Sequence, residues 1–347
     1  MTDNSKFKYN KNVILVDDIY NYLIRLAKHK RSLYKGIVIG ITGSAGKTTL
    51  KETLAYFLKK QNKISYSQKS FNNKLGIIIS LLNLNIASKY SIFEIGTNNF
   101  GEIKYLTNIV RPHQIFITNI QSTHLEFFKT KKNISKEKSD SFVSKLNKDR
   151  KKIFLNIINK DENIILNKAK KEKKLKIVRI DSSSRKYLIK KIIKKNNNYE
   201  ISFSINKKIT KITSKSLVKF RLENLLFCYA FFSENKLNIQ IISKLQKYLK
   251  PVDGRGLKHK ITFNNKKITI IDESYNANPD TMEQSIDYFS KLEIGKNNKI
   301  LILGNMNELG NKSNEMHFKL LKKVEKLNFK MVILCGEFFR TSIKNLL

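Results

Sequence analysis

The chain has 347 residues, 41% of them hydrophobic, with 68 Lys and Arg against 28 Asp and Glu. That is enough apolar side chain for a sizeable core in two or three domains, and no apolar run reaches the ~20 residues needed to span a bilayer. A net charge of +40 invites a polyanion, but lysine far outnumbers arginine. The lysine clusters at 168–174 and 190–195 also carry few aromatics for base stacking, so they read as solvated surface with no specific nucleic-acid partner. Cys228 and Cys335 stand far apart, and the five histidines show no ligand spacing among themselves, which supports neither a disulfide scaffold nor a zinc site. The opening MTDNSKFKYNKN lacks the apolar segment of a secretory signal, which predicts a cytoplasmic location.

Residues 36–41, Gly-Ile-Val-Ile-Gly-Ile, have the pattern of a buried strand, and Leu50, Leu54 and Leu58 recur every fourth residue on one face of a helix. Between them run Gly43, Ser44, Ala45, Gly46, Lys47, Thr48 and Thr49. Glycines let the backbone curl so that successive N–H groups face phosphate oxygens, and the helix N-terminus adds its positive end. Lys47 can neutralise terminal phosphates, and the hydroxyl of Thr48 or Thr49 can ligate Mg²⁺. The strict pattern G-x-x-x-x-G-K-[ST] is not met, because Ile41 stands five residues before Gly46; the form present is T-G-x-x-G-K-T from Thr42. It predicts a site for ATP or a close relative.

Further along, residues 91–95 and 114–118 read as buried strands with a helix over 101–109 between them. That alternation predicts a mainly parallel sheet with helices on both faces. Glu94 ends the first of these strands beside the phosphate loop, where a carboxylate can hold Mg²⁺, and His124 follows the second on the same edge. Residues 153–215 are Lys- and Asn-rich with short strand signals at 153–155, 177–180 and 199–205, and read as a peripheral part of the same domain. Helices are predicted over 222–232 and 239–249. The turn cluster Pro251-Val252-Asp253-Gly254-Arg255-Gly256 marks a domain boundary, and Arg255 in it can clamp an anion. Beyond it come strand 267–271, helix 280–291, strand 299–303, helix 314–326 and strand 330–334. Asp272 or Glu273, at a strand end, can hydrogen-bond a ribose, with Asn276 and Asn278 in the next turn. Asn278 before Pro279 is equally an ordinary helix cap. The expected architecture is α/β, with a central P-loop-like ATPase domain built on a mainly parallel sheet (36–249) and a Rossmann-like C-terminal domain (250–347).

Several segments, taken together, resemble the Mur ligases, ATP-dependent amide-forming enzymes of cell-wall synthesis. They are ITGSAGKTTLKE (41–52), FNNKLG (71–76), FEIGTNNFGEI (93–103), Arg111-Pro112, the stretch from Thr118-Asn119-Ile120 through His124-Leu125-Glu126, PVDGRG (251–256), DESYNANPDTM (272–282) and GNMNELG (304–310). The likeness spans about residues 13–340, and SYNANP is its most specific piece. It is nearest to the ligases that add D-Ala-D-Ala to UDP-MurNAc-tripeptide through an acyl phosphate, with ATP and Mg²⁺. The resemblance implies Lys47, His124 and Lys138 as catalytic residues, and Thr48, Glu94, His124 and Lys138 as metal ligands. Lys138 stands fourteen residues after His124, the family's spacing for a lysine that reacts with CO₂ to give an anionic carbamate, although Lys131, Lys132 and Lys136 lie close by. Asn224 is implied in the adenine pocket, and Asn72, Asn73 and Asn278 on the substrate side.

There are departures from the family pattern. Asn305 replaces the aspartate of G-D-M-x-E-L-G, and Phe220-Arg221-Leu222-Glu223-Asn224 replaces H-N-x-x-N. Residues 12–34 resemble only the tail of the family's uridine-nucleotide domain. Residues 1–35 are therefore expected to be a remnant of that domain, with the C-terminal domain incomplete, a weak hold on the uridine nucleotide and a monomeric state. Two other readings remain: another ligase of the superfamily, against which SYNANP argues, and a basic nucleotide- or nucleic-acid-binding protein without ligase activity.

Overall fold

The computed structural model describes residue 6 and residues 11–142, 151–156, 160–180, 184–196, 198–214, 218–295 and 298–344. Helix α1 (Ile19–Leu33) leads into β1 (Ile37–Thr42), α2 (Lys47–Leu58), β2 (Ile64–Tyr66), α3 (Lys74–Leu82), β3 (Tyr90–Glu94), α4 (Glu102–Val110) and β4 (Gln114–Ile117). Then follow α5 (Leu125–Phe128), α6 (Lys131–Ser139), β5 (Lys152–Leu155), α7 (Asn163–Lys171) and β6 (Lys176–Arg179). The six strands form one sheet in the order β2-β3-β1-β4-β5-β6, with every neighbouring pair parallel. This is the α/β fold that the apolar runs predicted.

The two-residue period of β1 sets the layers. Ile39 and Ile41 enter a core with Leu50, Leu54 and Phe57 of α2, while Val38 enters a second core with Ile24 of α1, Ile77 and Leu81 of α3 and Leu106 of α4. Burial on both faces is why these strands read as continuous apolar runs rather than alternating ones. Strand order reverses at β1, which has β3 on one side and β4 on the other. The crevice at the carboxyl ends of such strands is where this architecture holds ligands.

The stretch 153–215 is not peripheral as a whole, because β5 and β6 complete the main sheet. Its remainder forms an antiparallel meander of β7 (Tyr187–Lys195), β8 (Asn198–Ile205) and β9 (Lys208–Ser214). Lys190, Lys191, Lys194 and Lys195 of β7 are exposed, as solvated surface requires. Helix α8 (Lys219–Glu234) is apolar almost all round, and it is buried between α2, the meander and the sheet. Its Phe227 and Phe231 meet the stacked pair Phe116–Phe154, whose ring centroids lie 4.4 Å apart. Each such ring contributes roughly 1.5–3 kcal/mol on burial.

After α9 (Gln240–Leu245), the chain forms the hairpin β10 (Leu257–Phe263) and β11 (Lys266–Asp272). The sequence pattern showed only the second of these strands. Asn264 and Asn265 both take positive φ, 46° and 58°, the backbone a tight two-residue hairpin turn demands. Then come α10 (Pro279–Ser290), β12 (Ile300–Leu303), α11 (Ser313–Glu325), β13 (Met331–Leu334) and α12 (Glu337–Lys344), with β12 and β13 paired in parallel. Among the described residues this last part therefore combines an antiparallel hairpin with one parallel βαβ unit. Leu301, Leu303, Leu320 and Phe339 share one core with Ile117, Phe128 and Leu155 of the central sheet region.

Candidate active site at the carboxyl edge of the sheet

The centre of the site is the turn from β1 into α2. Gly43 has φ 138° and Gly46 φ 79°, both left-handed-region values, and a Cβ on Gly43 would lie 1.9 Å from Thr118 Oγ1. The residues that follow β4 brace the loop: Ser44 N donates to Asn119 O (2.9 Å), Ala45 N to Asn119 Oδ1 (3.0 Å), and Thr118 Oγ1 to Ala45 O (2.6 Å). No side chain caps α2 at Gly46, so the first-turn N–H groups are open to an anion. Lys47 Nζ curls back to donate to Gly43 O (3.0 Å) and Ser44 O (3.3 Å). Burial pushes its ammonium below the ordinary value, with Glu94 pulling up and Arg255 pushing down.

Register places Glu94 beside Ile41, one residue before Thr42, and so next to the loop. Its buried carboxylate accepts from Thr48 Oγ1 (2.7 Å) and from Asn72 Nδ2 (2.8 Å). A fully buried Lys51 lies 3.9 Å from it and donates to Ser67 O (2.7 Å) and to Lys69 O. Lys51 was not singled out from the sequence, although its place one turn after Thr48 on α2 puts it on the same helix face.

His124 sits in a left-handed conformation (φ 53°) at the start of α5, with its ring against the Glu308 carboxylate. Burial first, then Lys138 and Lys47, lower its pKa to about 4, which leaves the neutral imidazole a metal ligand needs. Lys138, on α6, is 2% exposed, and burial beside Lys47 pushes its ammonium well below the ordinary value against the pull of Glu137. Glu137 is itself engaged at the start of α4, accepting from Gly101 N and Ile103 N (both 2.8 Å).

These groups border a cavity of about 310 Å³. Ser44, Ala45, Gly46, Lys47, Thr49, Glu94 and His124 line one part of it, with Asn72. Asn224 of α8 lines it as well, and so do Arg255, Glu273, Asn276 and Asn278 from beyond residue 250. Gly43, Thr48 and Lys138 are buried and do not line it. Arg255 stacks on Tyr275, 4.0 Å from the ring centroid, and reaches Ser70 Oγ at 3.4 Å. Of the adjacent pair Asp272 and Glu273, only Glu273 faces the cavity; Asp272 accepts from Ser274 N and lies near His259. Asn73 is exposed and caps α3 through Gly76 N, away from the cavity. Asn278 lines the cavity while forming a capping box with Thr281 on α10. Asn276 Oδ1 accepts from Ala277 N.

Residues 41–232 match the family profile described as Mur ligase middle domain, and residues 260–345 match Mur ligase, glutamate ligase domain. The chain belongs to the Mur ligase family. A UDP-N-acetylmuramoyl-tripeptide–D-alanyl-D-alanine ligase of Rickettsia prowazekii is 31% identical to this Mur ligase over 330 residues, 94% of this chain and 71% of the relative. One from Buchnera aphidicola (subsp. Acyrthosiphon pisum) is 30% identical over 309 residues, 88% of this chain and 65% of the relative. Among solved structures, MurF from Acinetobacter baumannii superposes with a TM-score of 0.84 at 24% identity, covering 95% of this chain and 70% of that one. MurF from Thermotoga maritima in complex with ADP gives 0.78 at 23%, covering 97% and 79%. At that identity the superpositions establish the fold.

Proposed function

We propose that this Mur ligase joins D-Ala-D-Ala to UDP-MurNAc-tripeptide at the cost of ATP, forming an amide bond for peptidoglycan precursor synthesis. The observation that carries the reading is the convergence on one cavity of an uncapped helix N-terminus, half-buried Lys47 and Arg255, and Glu94, which is held by Thr48 from behind. Two half-buried cations facing one space, with only Glu94 and Glu273 among the described residues acting on them, suit the several negative charges of a nucleotide triphosphate. The relatives' shared activity, over about nine tenths of this chain, supplies the substrates.

In this reading residues 36–249 form the ATP-binding unit and 250–347 the unit that closes over it, with Arg255 and Glu273 brought to the nucleotide. The tripeptide carboxylate attacks the γ-phosphorus and ADP leaves, giving an acyl phosphate. The amine of D-Ala-D-Ala then attacks the acyl carbon, and phosphate departs from the tetrahedral intermediate. Lys47 and the α2 N-terminus offset charge on the transferring phosphoryl group, and Asn72, held by Glu94, borders the acceptor side.

The donor set of Thr48 hydroxyl, Glu94 carboxylate and neutral His124 fits Mg²⁺, which when bound supplies further neutralisation of phosphate charge. Lys138 completes the set as a carbamate. Burial favours the unprotonated form of its amine, whose nitrogen lone pair bonds to the carbon of CO₂; one C=O pair moves to oxygen and the N–H proton passes to solvent base.

The test supplies ATP, Mg²⁺, UDP-MurNAc-tripeptide and D-Ala-D-Ala to the purified chain and follows ADP and pentapeptide by mass spectrometry. Calorimetry measures each ligand separately alongside. Expected are nucleotide binding by the chain alone, weak binding of UDP-MurNAc-tripeptide, and ADP release that rises only when both acceptor substrates are present. For Lys47→Ala, lost turnover and nucleotide binding weakened about 10²-fold follow from removing a charge on the phosphates. Nucleotide affinity unchanged in Lys47→Ala, or no nucleotide binding by the wild type, would overturn the assignment.

A further inference from the structure

Phe220, Glu223, Asn224 and Phe227 recur at the three- and four-residue spacings of one face of α8, and that face lines the cavity. Asn224 is 5% exposed, and its Nδ2 is buried without a hydrogen-bond partner. A buried amide donor left unmatched is costly, so it marks where a ligand acceptor belongs. Two phenyl rings, one turn either side, offer apolar walls to a planar heterocycle. The phosphate loop at another part of the same cavity makes that heterocycle the base of a nucleotide. A purine presents N7 as an acceptor, and next to it position 6, which is an amino donor in adenine and a carbonyl acceptor in guanine and hypoxanthine.

We infer that Glu223 selects adenine over 6-oxopurines: with Asn224 Nδ2 donating to N7, the Glu223 carboxylate accepts from the adenine N6 amine and opposes a carbonyl O6. The inference rests on the cavity being the ATP site. Burial raises the Glu223 carboxyl above the ordinary value, with Glu162 acting in the same direction, while Lys219 and a hydrogen bond with Asn156 hold it down. The group therefore sits in a partly desolvated place, where a matched or opposed partner counts more than it would in water. The family resemblance names Asn224 for the base; only the helix face shows that its neighbour Glu223 shares the cavity.

Calorimetry with ADP and IDP in the presence of Mg²⁺, on wild type, Glu223→Gln and Glu223→Ala, tests this, with inorganic triphosphate as a base-free probe. Wild type is expected to bind ADP about 10- to 100-fold more tightly than IDP, the discrimination typical of a matched base contact. A glutamine amide can turn to donate to O6, so Glu223→Gln should bring the ADP/IDP ratio within about 3-fold of unity while triphosphate binding is kept. A wild-type ratio near one, or a ratio unchanged in both variants, overturns the role of Glu223. Failure of the wild type to bind either ADP or triphosphate would instead remove the nucleotide-site reading, and this inference with it.

Discussion

Two side chains at the residue scale turn burial into measurable chemistry. Lys138 is surrounded by protein, with Lys47 among its neighbours, so carrying an ammonium there is unfavourable, and the carbamate proposed above would replace that cation by an anion. Lys138→Ala is expected to lose about 10- to 100-fold or more of turnover, the range seen when a metal site loses a supporting group. Formate or acetate should restore part of it by filling the vacated anionic position, and wild-type turnover of the variant in CO₂-depleted buffer would exclude the role. His317 is a structural counterpart. Its Nε2 accepts from Met306 N (2.9 Å), its Nδ1 faces Ser313 O (2.7 Å), and it is fully buried against Phe338 and Phe339. Both ring nitrogens are thus engaged in the neutral tautomer, and burial lowers the pKa below the ordinary 6.5. The stabilisation is complete above 6.5. It falls as pH drops below that value, because the unfolded chain binds a proton the folded ring refuses, by at most ~1.4 kcal/mol per pH unit. Urea midpoints compared between about pH 7.5 and about pH 5.5 should fall further for wild type than for His317→Gln.

Elements carry the site by their ends. Helix α2 presents its N-terminus, β3 its last residue, and α10 begins with the capping box Asn278–Thr281 with Pro279 in its first turn. Asn278 was expected either at a ligand or as a cap; the structure shows the cap and also places it on the cavity. Asn278→Ala should cost about 1 kcal/mol of stability by freeing a first-turn N–H. Asn278→Asp keeps an acceptor at the cap and should recover that loss in urea titration. Any ligation defect that persists in the Asp variant then reports contact with a ligand, and equal recovery of both properties would leave Asn278 a cap alone. Next to it, Asp280 accepts from Ser122 N (2.8 Å) and pairs with Lys131 (3.1 Å), tying the start of α10 to the loop that carries His124.

For the molecule as a whole, the central sheet and the last βαβ unit share one apolar core, and Glu126 N donates to Glu308 O across the same junction. The net charge of +40 opposes this compactness. Acidic partners exist for some lysines, as in Lys323 with Glu283 and Asp287 or Lys195 with Glu200, but they are too few to balance the surface. Raising ionic strength from about 0.01 M to about 0.15 M shortens the screening length from about 30 Å to about 8 Å. The thermal midpoint should therefore rise with NaCl. A midpoint that stays level or falls would mean the lysines are locally compensated rather than mutually repelling.

The parts of this protein that could be read from its sequence are those fixed by short-range periodicity and local backbone chemistry. The apolar runs of β1, β3 and β4 announce strands buried on both faces, Leu50, Leu54 and Leu58 announce α2, and Gly43 and Gly46 announce a turn that only glycine fits. Strands β7, β9 and β10 were missed because each shows a polar, lysine-bearing face to solvent, and their pairing is made by partners distant from any local pattern. The same limit applies at the site. Motif spacing could name Asp272 and Glu273 together, but the end of β11 turns only Glu273 toward the cavity. Spacing could not show Lys51 under Glu94, Glu223 on the cavity, or the burial that disfavours a charged Lys138, because burial and side-chain direction depend on which elements the sheet order brings together. Residue type and spacing determined what chemistry was available; tertiary packing decided which groups share one desolvated space, and so which of them can act.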